Sequence, residues 1–424
     1  MTNTLNKNFS TIVLKKFLPA FSSNLVISKS IDRQLLKGEI NPSTGSSIQF
    51  KRPHQYVTER TTDGDVTGTT KNQLTSATAT GAIGNYITVR VEYSQLEQAV
   101  ELNQLDEILA PIGQKMANEV DSECAQRMND NAALISGLPD QAIGQWSDVA
   151  SGSVFLKDLG VTGKNFAALD PWSTKDLADA QGGLSNGSDS LVDKAWEEAQ
   201  ISSNFGGLKG LMSNGLHSFT SGTEAGVGGV TLGATPIVTY SALKDTYQVT
   251  VALTGLTATT GTVNVGDMLQ FDATTLLNQQ NKSSLFNGGV SIPFTGTVIT
   301  GGTADGSGDL TVVISGAPIF DASNPQYNTV SRAITSGDAV TILGTASTIY
   351  KPSLFYNEMA FGLGSVELPK LHSIDSSVVN AEGFSIRVHK YSDGDANKQM
   401  VRFDLLPSFC VFNPFMMGKL YGRV

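Results

Sequence analysis

The sequence predicts an α+β protein with an all-β domain inserted into it, and three observations predict that class. Between Leu105 and Leu134 the apolar residues Leu109, Ile112, Met116, Val120, Cys124 and Met128 recur at steps of three or four, the signature of one long amphipathic helix. Before and after it, apolar and polar residues alternate with period two. Between about Ser221 and Ile349 helical periodicity fades, and only three basic residues stand against eight acidic ones.

Composition bounds the rest. With 424 residues the chain exceeds one small fold, and 43 glycines with 16% charged residues against 40% hydrophobic favour β structure with tight turns. A formal charge of −10 argues against a dedicated nucleic-acid binder, which carries a basic footprint. Cys124 and Cys410 build no disulfide framework and sit in apolar runs, so both read as packing residues. Thr11 to Phe21 is fairly apolar, but Lys15 and Lys16 split it and no cleavage pattern follows. It reads as an amphipathic helix. No run is long enough to span a membrane.

Residues 1–40 form an N-terminal arm, with Ile12, Val13, Phe17, Leu18 and Phe21 on one helical face and a second short helix expected from Leu25 to Leu36. The arm is too small to fold alone and must lie against something else. Ile48 to Pro53 and Tyr86 to Tyr93 read as strands, with Ile87, Val89 and Val91 alternating against Thr88, Arg90 and Glu92. Some thirty polar residues lie between the two strands. That is too long for an ordinary loop, so a projecting β arm is expected. In the long helix Pro111 fits near the first turn, and Glu119, Asp121, Glu123, Gln126 and Arg127 are expected to face water. From Pro111 to Leu134 it would measure roughly 36 Å.

Trp146 to Leu159 then suggests a helix and Phe166 to Leu169 a buried strand. Asp170-Pro171 starts another helix that Gly182 and Gly183 should stop. A further helix is expected from about Asp189 to Gln200, and a strand from Leu208 to Met212. In the acidic block, strands fit Tyr247 to Leu253, Met268 to Phe271, Phe294 to Thr300, Leu310 to Ser315 and Ala339 to Leu343, with Gly266-Asp267 and Gly337-Asp338 as turns. Five or six short strands make a small barrel or sandwich. Phe384 to His389 and Val401 to Leu405 close the chain as a long hairpin, with Asp404 able to pair with Arg387 or His389 for a few tenths of a kcal/mol if exposed.

Chemistry is sparse. His54, His217, His372 and His389 match no metal-ligand spacing, and His372, Ser373 and Asp375 are too close in sequence to converge as a triad. Gly206, Gly207 and Gly210 around Lys209 lack phosphate-loop spacing and read as a turn. Asp393, Asp395 and Asn397 copy the start of a calcium loop, but Lys398 stands where glycine is needed and Asp404 where glutamate is usual. Asp305, Ser307 and Asp309 read first as a glycine-rich turn. No catalytic, cofactor or metal residue is assigned. The most basic short cluster, Lys51, Arg52 and His54, suits an acidic surface on another subunit, or else a solvated strand.

Several segments together resemble a known family. Ile12-Val13-Leu14-Lys15-Lys16-Phe17-Leu18-Pro19, Phe50-Lys51-Arg52-Pro53-His54-Gln55, Asp170-Pro171-Trp172-Ser173, Asn204-Phe205-Gly206-Gly207, Leu368-Pro369-Lys370-Leu371-His372-Ser373-Ile374-Asp375 and Asp404-Leu405-Leu406-Pro407 are similar, in that order, to the major coat protein of short-tailed bacteriophages of enteric bacteria. The resemblance implies the Hong Kong 97-type capsid fold with a telokin-like insertion. It assigns an N-arm at 1–40, an extended loop at 41–93, spine helix with the first part of the peripheral and axial domains at 94–220, the insertion at 221–349 and the second part at 350–424.

The implied function is self-assembly into an icosahedral shell that encloses double-stranded DNA in the virion. Lys51, Arg52, His54, Asp63 and Asp65 are the expected inter-subunit contacts. The expected partners are further copies, a scaffolding protein, a portal protein and loosely held DNA, with no membrane, and assembly would occur in the host cytoplasm. No Lys and Asn pair matches the crosslink of some relatives of the fold. A β-rich carbohydrate-binding adhesin is the alternative from another class, without the secretion signal it would need. A decoration protein hardly needs the long helix.

Overall fold

The computed structural model describes residues 17–33, 47–68, 71–93, 105–184, 198–199, 201–366, 368–369, 376–381, 383–393 and 398–423. The chain divides into two compact units, one of residues 1–49, 80–125 and 361–410, the other of 50–79, 126–360 and 411–424.

In the first unit, four antiparallel strands stand in the order Ser376–Ala381, Phe384–Asp393, Lys398–Leu405, Ile87–Tyr93. The predicted hairpin is therefore the centre of a sheet whose edge comes from the extended loop, paired from Leu405 with Ile87 to Gln399 with Tyr93. Ile386, Val388, Phe403 and Leu405 are buried, as period-two alternation requires. The arm finds its core here. Residues 17–24 are helical, and Phe17 stacks on Phe403 at 5.0 Å while Phe21 meets Phe384 edge-on at 5.6 Å. The expected helix from Leu25 is only a single turn, Ile27–Lys29, followed by a bridge from Asp32 to Gly362. Its remainder lies outside the described residues, as do His372, Ser373, Asp375, Asp395 and Asn397.

The long helix spans Leu105–Asn131, 27 residues with Pro111 inside it. It starts at Leu105, as the stretch predicts, which puts Pro111 in its second turn, and it stops earlier than expected, because Leu134 already belongs to a strand, Leu134–Ser136. Its predicted stripe is buried from Leu109 to Met128. Asp121 corrects the solvent-facing expectation. It is 4% exposed, and its carboxylate accepts the backbone N–H groups of Val26, Ile27 and Ser28 at 2.6, 3.2 and 3.0 Å. A carboxylate placed over the start of a helical turn satisfies donors that have no partner within it.

The second unit holds two six-stranded sheets. One is mixed, in the order Leu134–Ser136, Met417–Leu420, Ser353–Asn357, Asn165–Leu169, Leu208–Met212, Asn204–Phe205, with helices Trp146–Asp158 and Pro171–Leu184 beside it in sequence. Asp170 accepts the Trp172 N–H at 3.2 Å, as its sequence position predicts. Gly182 and Gly183 do not stop the helix, which runs on to Leu184. The helix expected at 189–200 lies outside the described residues except for Glu198 and Ala199.

The other sheet is all antiparallel: Val340–Leu343, Met268–Thr275, Pro293–Thr300, Leu310–Ser315, Gln248–Thr254, Thr231–Leu232. Its two edges meet through a bridge from Thr231 to Ala339 and N–H···O bonds from Val340 to Val230 and Leu232 to Asp338. It is a closed barrel, which leaves no edge to aggregate. The chain enters and leaves it through one short pair, Tyr350 opposite Phe219 and Ile349 opposite Thr220.

Candidate assembly surfaces

The barrel braces the end of the spine. An α-helix leaves its last carbonyls without partners, and here one barrel hydroxyl takes the helix's final carbonyl while two more take the two carbonyls that follow it. Ser315 donates to Asn131 O at 2.9 Å, Thr297 to Ala132 O at 2.5 Å and Thr295 to Ala133 O at 2.7 Å. Beside the barrel's entrance Lys419 is fully buried, donating to Gly266 O at 2.5 Å with its ammonium 4.4 Å from the Phe219 ring. Burial pushes it down to about 7 against the pull of Asp130 and Asp267.

The root of the extended loop lies on the same barrel. Arg52 donates to Phe412 O and, at 3.2 Å, to Asp245 O, and its guanidinium sits 4.1 Å from the Tyr247 ring centre. Its own N–H reaches Ala77 O at 2.8 Å, and the Thr78 N–H donates to Asp245 at 2.8 Å. Burial works upward on the Asp245 carboxyl, but the Thr78 and Lys244 hydrogen bonds outweigh it and hold the group below the usual range. His54 Nδ1 lies 3.3 Å from the Tyr327 hydroxyl, Lys282 donates to Gln55 at 2.7 Å, and Gln326 donates to Gln73 O at 2.9 Å. Tyr327 stacks on Tyr240 at 3.7 Å.

Beyond this root the loop is exposed, apolar Val66 and Leu74 included, at 60% and 66%. Asn72 and Val57 tie its two limbs together. At the tip Asp63 accepts the Asp65 N–H, and Asp65 accepts the hydroxyl and then the N–H of Thr67, which together hold the Asp65 carboxyl below its ordinary value. The segment Thr78–Ile83, expected to be part of the polar tract, is a strand that pairs with Pro407–Val411 through Ala82 and Phe409.

The predicted contact residues thus separate. Lys51 is exposed, Arg52 and His54 turn to the chain's own barrel, and Asp63 and Asp65 stand together on the tip. Tyr240, Tyr247, Tyr327 and Lys282 were not singled out by sequence reasoning. Lys282 had one usable signal, being one of only three cations in the acidic block. A second exposed surface of this unit is apolar: a groove lined by Trp146, Val154, Phe155, Phe286, Ile292 and Arg423.

The remaining candidates are structural. Arg387 and Arg402 both bind Asp404, at 2.7 and 2.6 Å, and Thr88 donates to it at 2.9 Å. The pairing of Asp404 with Arg387 expected from the hairpin is present, but Asp404 is wholly buried, so it is not an exposed pair worth a few tenths of a kcal/mol. Asp305 caps its own turn through the Ser307 and Asp309 N–H groups. Gly206 and Gly207, at φ of 60° and 85°, make the turn between paired strands. No cluster of metal-ligating side chains occurs among the described residues.

Comparison with known proteins gives the setting for these surfaces. The family model of the P22 coat protein (gene protein 5) matches residues 1–422. A curated major capsid protein of Acyrthosiphon pisum secondary endosymbiont phage 1 is 54% identical over 425 residues, covering all of both chains. Among solved structures, one of Mycobacterium phage Che8 is 9% identical with a TM-score of 0.44, covering 93% of this chain and 90% of its own. One of Gordonia phage Cozz is 11% identical with a TM-score of 0.41, covering 94% and 87%.

Proposed function

We propose a route of assembly from one premise: the chain belongs to the P22 coat protein family and is a phage major capsid protein, the unit of an icosahedral shell. Its α+β architecture is the Hong Kong 97-type capsid fold with an inserted barrel. The family match across residues 1–422 carries this reading.

Within that role the extended loop, 41–93, makes the heterologous contact that lets copies close into rings and then a shell. Its exposed tip, with Asp63 and Asp65, reaches a neighbouring subunit, and Lys51 contributes at its base. Arg52 and His54 act indirectly, by holding the root on the barrel. The arm, 1–40, latches beneath another copy. Residues 94–220 and 350–424 form the peripheral and axial body around the spine, and 221–349 the inserted barrel. Each contact can be weak, because many per subunit act together.

Assembly takes place in the host cytoplasm on an internal scaffolding protein, with a portal at one vertex, and the shell expands as double-stranded DNA enters. The acidic balance supports loose, sequence-blind contact with that DNA. Sedimentation with negative-stain microscopy tests the loop's role. Wild-type protein, co-expressed with its scaffold, should give closed uniform shells. Asp63→Asn with Asp65→Asn should give monomers or open sheets, and shells as stable as wild type would contradict the assignment.

A further inference from the structure

Resting on the reading of the extended loop above, we propose that the inserted barrel carries a socket that seats the loop's root in the single subunit, and that this seat is proton-linked through Lys282. Two sets of contacts define it. The first is aromatic and cationic, Arg52 over Tyr247 with Asp245 tying Thr78. The second is polar, Lys282 on Gln55, Tyr327 by His54, and Gln326 on Gln73 O. Both limbs of the loop are therefore held, Gln55 on one and Gln73 on the other, and what projects beyond them is the exposed stretch from 58 to 68 and back.

Lys282 is the unusual member. Its ammonium donates to Gln55 Oε1 and Asn328 O, both neutral, and none of its contacts among the described residues is a carboxylate. The titratable side chains on the segments that meet here are His54 and Tyr327, bonded to each other, exposed Tyr56, and Asp321, whose carboxylate accepts the Tyr240 N–H, with Arg52 and Asp245 in the separate set. Burial alone lowers Lys282, to about 8. When the root lifts away, water returns to the ammonium and its affinity for protons rises toward the ordinary value. The seated state thus binds fewer protons than the lifted one, and seating tightens as pH climbs from about 8. Below that the lysine is charged in both states and the equilibrium is flat.

The test uses the full chain with a nitroxide on Leu74→Cys, next to the root and exposed, while Cys124 and Cys410 are buried. Spin-label mobility is read from pH 7 to 9.5. The immobilised fraction should grow about ten-fold or more relative to the mobile one across that range. In Lys282→Met, which loses the Gln55 contact, it should be independent of pH. In Tyr327→Phe, which keeps the stack on Tyr240, and in Arg52→Gln it should fall at every pH while thermal unfolding is retained. A label equally mobile at all pH values, or a pH response unchanged in Lys282→Met, would overturn the socket. Neither outcome bears on shell formation, which sedimentation reads separately.

Discussion

Asp404 and Asp121 show how much a single buried carboxylate decides in this chain. Asp404 is wholly buried yet held below the ordinary carboxylate range: burial works upward, and hydrogen bonds from Arg387, Arg402 and Thr88 outweigh it. A carboxyl whose folded value is depressed contributes stability that is full above its unfolded value near 4 and is lost as pH falls through the folded one. Acid unfolding of the sheet should therefore steepen below pH ~4 in the wild type, and Asp404→Asn should flatten that limb in a circular-dichroism titration. At neutral pH the same substitution leaves two guanidinium groups short of their anion, at a cost of about 3–5 kcal/mol. Asp121→Ala should free the turn at Val26 to Ser28, at a cost of about 1–3 kcal/mol, seen as faster amide exchange there. The pairing of Asp404 with Arg387 was legible in the hairpin's register, but its burial was not, and the role of Asp121 was not legible at all. Alternation and helical period report which face a residue occupies, and a carboxylate on a polar face looks the same whether water or three N–H groups lie above it.

At the scale of elements, periodicity read well where a segment packs against one surface. The hairpin, the helix at Trp146 and the barrel strands fall close to their expected places, whereas the strand Thr78–Ile83 was hidden, its residues too small and polar to alternate. The spine's end was misplaced because a strand begins at Leu134 and barrel hydroxyls hold the carbonyls of Asn131 to Ala133, long-range contacts that leave no local stop signal. Thr297→Val removes one of those donors at nearly constant shape and strands Ala132 O in a buried place. It should destabilise the junction by about 1–3 kcal/mol, measured by exchange of the last helical turn. At the other end Gly113 lets the arm cross the spine closely, since a Cβ there would meet Phe17 O and Phe21 N at 3.0 Å. Gly113→Val should undock residues 17–24 by about 1–3 kcal/mol, visible as proteolysis at the arm with the barrel unaffected.

Over the whole molecule, segments quoted in order along the chain carried the family, and change of composition marked the insertion. The insertion was expected as a small barrel or sandwich, and the sequence left open which of the two it is; what it did not disclose is that the loop's root belongs to it. Closure depends on Thr231 and Ala339 meeting across more than a hundred residues, and the root on Tyr247 and Lys282 meeting a loop some two hundred residues earlier. Such long-range pairings leave no periodic trace. They nonetheless set the account's central claim, that one subunit holds its loop at the root and offers the tip to the next. Electron cryomicroscopy of the assembled shell at side-chain resolution tests it most directly. The account predicts Arg52, His54 and Gln55 on their own subunit's barrel and Asp63 with Asp65 against a neighbour. A loop tip folded back on its own subunit, or a root carried by the neighbour's barrel, would contradict it.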